Sequence, residues 1–199
     1  MIPQSEGDNP RPHQPVIDAV RRWVERLVVD LNLCPFAKRE LVKNRIRFVV
    51  TDSHCETHLL TVLEQELQRL EQDPSIATTL LIHPAVLRDF YAYNQFLDDA
   101  DRLLERLALA GIYQIASFHP HYQFGGTEPA DVENYTNRSP YPLLHLLREA
   151  SLEHAIEQYP DVTQIPTDNV ALMQRLGETH LRQLLHSCLH GSHRDAGDD

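Results

Sequence analysis

Between residues 46 and 118 the chain alternates two kinds of apolar pattern, and that alternation restricts the folds open to it. Ile46 to Val50, Thr78 to Ile82 and Ile112 to Phe118 are short runs rich in β-branched, leucine and aromatic residues, as buried strands are. Between the first two runs, Leu59, Leu60, Leu63, Leu67 and Leu70 recur at helical spacing until Asp73-Pro74 stops them. Between the last two, a longer helical segment runs from about Ala85 to Leu109 and closes at Gly111. The order is β-α-β-α-β. Strands joined by a helical crossover lie parallel, with a right-handed connection. The expected fold is therefore α/β: a small three-stranded, mainly parallel sheet packed by four to five helices.

Helices flank this unit. Ile17, Val20, Val24, Leu27, Val28 and Leu31 form one stripe, which must end near Asn32-Leu33 because Cys34 precedes a proline. After the third strand, periodicity is lost across residues 119–142. Pro142 then opens an expected helix through Leu143, Leu146, Leu147 and Ala150, with His145 and Arg148 on one side. A last helical segment spans Asp168 to about His186, with a break at Gly177. Residues 1–15 are proline-rich and read as a disordered arm, 16–186 as one domain, and 187–199 as a flexible tail.

The net charge of −11 argues against nucleic acid or an anionic membrane surface as partner. No apolar run is long enough to span a bilayer, and MIPQSEGDNPRPHQP lacks the apolar region of a secretory signal. The three cysteines are odd in number and far apart, so a reducing cytoplasm is the expected location.

Chemistry-bearing residues gather where the pattern breaks. Cys34, His83 and His119 each stand directly before a proline, which holds them in extended backbone at an element end. Parallel strands share a C-terminal edge, and ligands of open α/β sheets bind beyond it. His83 and His119 close the second and third strands, so topology brings both to that edge. Imidazole and thiolate suit zinc or iron, which makes His83, His119 and Cys34 a candidate metal set, with Glu133, Asp131 or His145 as substitutes for a remote Cys34. Without a metal, either histidine could serve as a general base. Cys34 could instead be a nucleophile paired with one of them, although a helix C-terminus opposes a thiolate. Arg138 and Arg148 could orient an anionic substrate, or could pair with Glu133 and Glu149 to pin the loop. Tyr122, Phe124, Tyr135 and Tyr141 mark 119–142 as an ordered loop over the sheet edge. The His-rich run His180, His186, Cys188, His190 and His193 reads as adventitious.

The segments NLCPFA (32–37), LLIHP (80–84), ASFHP…YQF (116–124), ENYTNRSPYP (133–142) and LHLLREAS (144–151) resemble the bacterial domain of unknown function 1415 family. The resemblance covers roughly residues 16–177 and implies a bacterial cytoplasmic protein. It transfers no catalytic residue. His121 departs from it, standing where an acidic or other polar residue is expected. The expected function is that of a small-molecule enzyme or binding protein, with its site at the strand C-termini under the 119–142 loop and with Arg138 and Arg148 to orient an anionic ligand. His83, His119, Arg138, Arg148 and Glu133 are the candidate catalytic residues. The alternatives are thiol chemistry at Cys34 and a non-catalytic module that meets a protein partner through the aromatic loop.

Overall fold

The computed structural model of the 199-residue chain describes residues 12–157 and 161–191. Helix α1, Gln14–Trp23, begins with proline in its first turn and runs on through Val24–Val29 in the wider π geometry, where the Asp30 N–H donates to the Glu25 carbonyl. A tight turn containing Cys34 leads to the short α2, Ala37–Val42. Then follow β1 (Ile46–Val50), α3 (Glu56–Gln72), β2 (Thr78–Ile82), α4 (Phe90–Arg106) and β3 (Tyr113–Phe118). Asp89 caps α4 by accepting a hydrogen bond from the Ala92 N–H at 2.9 Å. Beyond the 119–142 loop come β4 (Leu143–Arg148), α5 (Glu149–Glu157) and α6 (Ile165–His190).

The α/β class holds, but the sheet has four strands and is mixed, in the order β1-β2-β4-β3. β1 and β2 are parallel, from Ile46 opposite Thr78 to Val50 opposite Ile82. β4 is antiparallel to both of its neighbours, with Leu143 opposite Ile82 on one side and Phe118 on the other. The expected helix from Pro142 is therefore a central strand. Leu143, Leu144, Leu146 and Leu147 satisfy a helical stripe and also a strand covered on both faces, and short apolar runs do not separate the two. The first three strands still point the same way, so their C-terminal ends share one edge with the start of β4.

Successive side chains of a strand face opposite sides. Val49, Leu81, Leu144, Leu146, Tyr113 and Ile115 meet α3 and α4 in the larger core, which includes Leu59, Leu63, Leu67 and Leu70. Each such leucine, fully buried, contributes about 1.5–3 kcal/mol. Phe48, Val50, Leu80, Ile82 and Leu143 meet α1 and the end of α6 on the other face. A third cluster, Leu33, Tyr135, Met173 and Leu181, joins α6 to the 119–142 loop. Gly177 makes this double duty possible. At φ 73° and ψ 157° it occupies backbone open essentially to glycine alone, and it bends α6 between its two packing partners.

The termini differ from expectation. Gln14 and Pro15, assigned to the arm of residues 1–15, lie in α1. Helix α6 continues to His190, so the tail expected from residue 187 loses its first residues to the helix, and Cys188 is fully buried. The rest of both expected tails, with His193, lies outside the described residues. Among the described residues, no helix is long and apolar enough to cross a membrane.

Candidate functional site

His83 and His119 directly follow β2 and β3, at the same edge and on the face covered by α4. Both are fully buried, and Tyr93 of α4 stands between them. Its ring centroid is 5.8 Å from that of His83 and 5.1 Å from that of His119. The Tyr93 hydroxyl donates to the Leu143 carbonyl at 2.8 Å and accepts from the Phe118 N–H at 3.0 Å, which ties the end of β3 to the start of β4. Phe90 and Tyr122 extend the ring cluster toward the loop.

The hydrogen bonds define each imidazole. His119 Nδ1 accepts from the His121 N–H at 3.0 Å, so Nε2 carries the proton and donates to the Leu87 carbonyl at 3.2 Å. His83 Nδ1 donates to the Val86 carbonyl at 3.0 Å, and its buried Nε2 has no hydrogen-bond partner among the described residues. Burial lowers both pKa values to about 4, so both rings are neutral. Together they stitch the 83–89 connection onto the sheet edge, where Leu87 takes a positive φ of 56°.

Cys34 lies elsewhere. It lines a cavity of about 490 Å³ together with Phe118, whose side chain is on the α1 face, away from the histidines. The candidate metal set His83, His119 and Cys34 is thus split across the sheet. Among the described residues, no group of three or more His, Cys, Asp and Glu side chains comes together to hold a metal.

Four segments wall this cavity. The end of the π segment and the following turn supply Val28, Leu33 and Cys34. The end of β3 and the start of the loop supply Phe118 and Phe124. The 3-10 turn Val132–Thr136 and its neighbour supply Glu133, Thr136 and Asn137, and the first turns of α6 supply Pro166, Asn169 and Val170. Its volume falls within the range of about 300–1,000 Å³ usual for ligand pockets, and like them it is mainly apolar with a few polar groups. Hydrogen bonds fix those groups. Asn169 Nδ2 donates to the Leu33 carbonyl at 2.9 Å, Asn137 Nδ2 to the Ser117 carbonyl at 3.1 Å, and Thr136 Oγ1 to the Glu133 carbonyl at 2.9 Å.

Burial raises the Cys34 thiol pKa, and the backbone N–H groups of Phe36 and Ala37 only partly oppose it. Among the described residues, no histidine lines the cavity. The expected pairing of Cys34 with His83 or His119 is therefore not made, and nothing beside the thiol activates it.

The 119–142 loop is ordered around Asn134, which is fully buried. Its Oδ1 accepts from the Phe124 N–H and the Thr127 hydroxyl, both at 2.9 Å, while Nδ2 donates to the Glu128 carbonyl at 2.8 Å. Arg138 serves the same loop. It donates to the Tyr122 and Pro129 carbonyls at 3.3 and 2.7 Å and lies 4.5 Å over the Tyr135 ring, and it makes no ion pair with Glu133.

Arg148 belongs to the far edge of the sheet, because β4 is a strand and ends there. It donates to the Tyr113 hydroxyl at 2.9 Å and to the carbonyls of Leu70, Asp73 and Ile76, closing the end of α3. His145, three residues away, faces the opposite side of the sheet, near Phe118, where burial lowers its pKa to about 4.

Of the candidate residues, then, Glu133 and Cys34 share the cavity, His83 and His119 share a separate cluster, Arg138 pins the loop, and Arg148 is remote. Val28, Pro166, Asn169 and Val170 carried no sequence signal of a site, because nothing local shows that α6 returns to the loop.

No curated protein and no solved structure matches the chain. A family model described as protein of unknown function, DUF1415, matches residues 15–183, and since those residues include every wall of the cavity, the histidine cluster and the whole sheet, the chain belongs to that family.

Proposed function

We propose that this protein binds a small molecule in the cavity beneath the 119–142 loop. One observation carries the reading. NLCPFA, ASFHP…YQF and ENYTNRSPYP lie far apart in sequence, the last too irregular to follow from helix or strand patterning, and all three line this single cavity, through Cys34, through Phe118 and Phe124, and through Glu133, Thr136 and Asn137. The π segment that supplies Val28 adds support, since such insertions are frequent at functional sites.

The cavity favours binding over catalysis. Burial raises the pKa of its thiol, and among the described residues no histidine lines it beside that thiol. The histidine cluster is a structural clasp in this reading, since three of its four ring nitrogens are engaged by backbone groups. A protein-docking role for the loop has less support, because Tyr135 is buried and the exposed Tyr91 and Val42 lie on α4 and α2. Free thiols at Cys34, Cys55 and Cys188 fit a reducing cytoplasm, and the charge of −11 fits a partner other than nucleic acid.

A thermal-shift screen of small molecules tests the proposal. Compounds that raise the melting temperature of the wild type are expected to lose that effect in Val170→Phe, which fills the cavity, while the variant itself stays folded by circular dichroism. Hits that stabilise both proteins equally contradict it.

A further inference from the structure

The cavity has a definite electrostatic sign. Among the described residues that line it, Glu133 is the one acidic side chain and none is Lys, Arg or His. Among the described residues, no Lys, Arg or His side chain pairs with that carboxylate. The arginine of the loop, Arg138, is committed to the Tyr122 and Pro129 carbonyls and to the Tyr135 ring. Phe118 and Phe124 add two rings to the wall, whose faces attract cations.

We infer that the ligand of this cavity is a small organic cation, with an ammonium or amidinium group directed to Glu133 and an apolar body against Phe118 and Val170. The inference rests on the small-molecule reading above and reverses the anionic ligand expected from Arg138 and Arg148. An anion entering the cavity would meet a carboxylate and, among the described residues, no cationic side chain in its wall. A cation gains a charge-assisted hydrogen bond where surrounding apolar groups limit screening, and the charge of −11 on the chain draws it in from solution.

Three probes of one length separate the possibilities: n-hexylammonium, 1-hexanol and hexanoate, titrated against methyl-labelled protein by NMR. Hexylammonium is expected to shift the Val28, Leu33 and Val170 methyls and to bind about tenfold more tightly than either of the others. Glu133→Gln should remove that preference and leave hexanol affinity within about twofold. Raised salt should weaken hexylammonium alone in the wild type, a readout that needs no variant.

If hexanol or hexanoate binds the same methyls as tightly as the cation, the cationic assignment is overturned and the small-molecule site stands. Hexylammonium binding that ignores both salt and Glu133→Gln also overturns the assignment. If no probe moves the cavity methyls, both the assignment and the small-molecule reading fall.

Discussion

The imidazole of His83 stacks on the phenol ring of Tyr93, with centroids 5.8 Å apart and planes 17° from parallel. This contact holds the 83–89 connection against α4, and the Tyr93 hydroxyl in turn bridges β3 and β4. Tyr93→Phe keeps the ring but leaves the Leu143 carbonyl and the Phe118 N–H without that bridge. A loss of about 1–3 kcal/mol is expected in urea unfolding. An unchanged midpoint would show that the bridge contributes nothing.

The pH dependence follows from the buried imidazoles of His83 and His119 and the half-buried one of His145. Burial is the first cause of the lowered pKa, about 4, at His83, His119 and His145. In the unfolded chain each returns to about 6.5, so at intermediate pH the unfolded state binds more protons. The stability from keeping them neutral is complete above about pH 6.5 and is lost progressively as pH falls toward about 4. Unfolding free energies measured across that window should decline with falling pH, and His119→Asn should flatten the decline. A level profile would contradict the neutral, buried assignment.

Arg148 separates architecture from ligand binding. Its guanidinium serves the Leu70, Asp73 and Ile76 carbonyls and the Tyr113 hydroxyl. Arg148→Ala leaves those groups without a charged donor and should cost about 2–3 kcal/mol. Binding of any cavity ligand to the folded fraction should not change. Full stability with lost binding would return Arg148 to the site.

Thiol reactivity tests the environment of Cys34. Cys55 is exposed, Cys34 half-buried and Cys188 buried. Burial also raises the pKa of Cys34 and of Cys188. Iodoacetamide at neutral pH should therefore modify Cys55 first, Cys34 slowly and Cys188 last, as followed by peptide mass spectrometry. A cavity ligand should slow Cys34 alone. Fastest modification at Cys34 would restore the nucleophile reading.

The residues that were legible from sequence share one property: their signal is local. Ile46–Val50 and Thr78–Ile82 are β-rich runs between clear stops, and Gly177 announced the bend in α6. Leu143–Arg148 was not legible as a strand, because its place between β2 and β3 depends on pairing with residues more than 20 positions away. The same insertion moved Arg148 to the far edge and set it on the face opposite His145. Cys34 entered one candidate set with His83 because both precede proline. Proline fixes the backbone of the preceding residue and says nothing about which sheet face the chain then crosses. Glu133 lay in an irregular segment that drew attention, but its partnership with Asn169 and Val170 in one cavity required the fold of α6.

Crystallographic soaking with a chemically varied fragment set is the most direct measurement of where this protein binds small molecules. The account predicts bound fragments gathered between Phe118, Glu133 and Val170, with basic groups turned toward Glu133. Fragments gathered instead beside His83 and Tyr93, or none in the cavity, would contradict it.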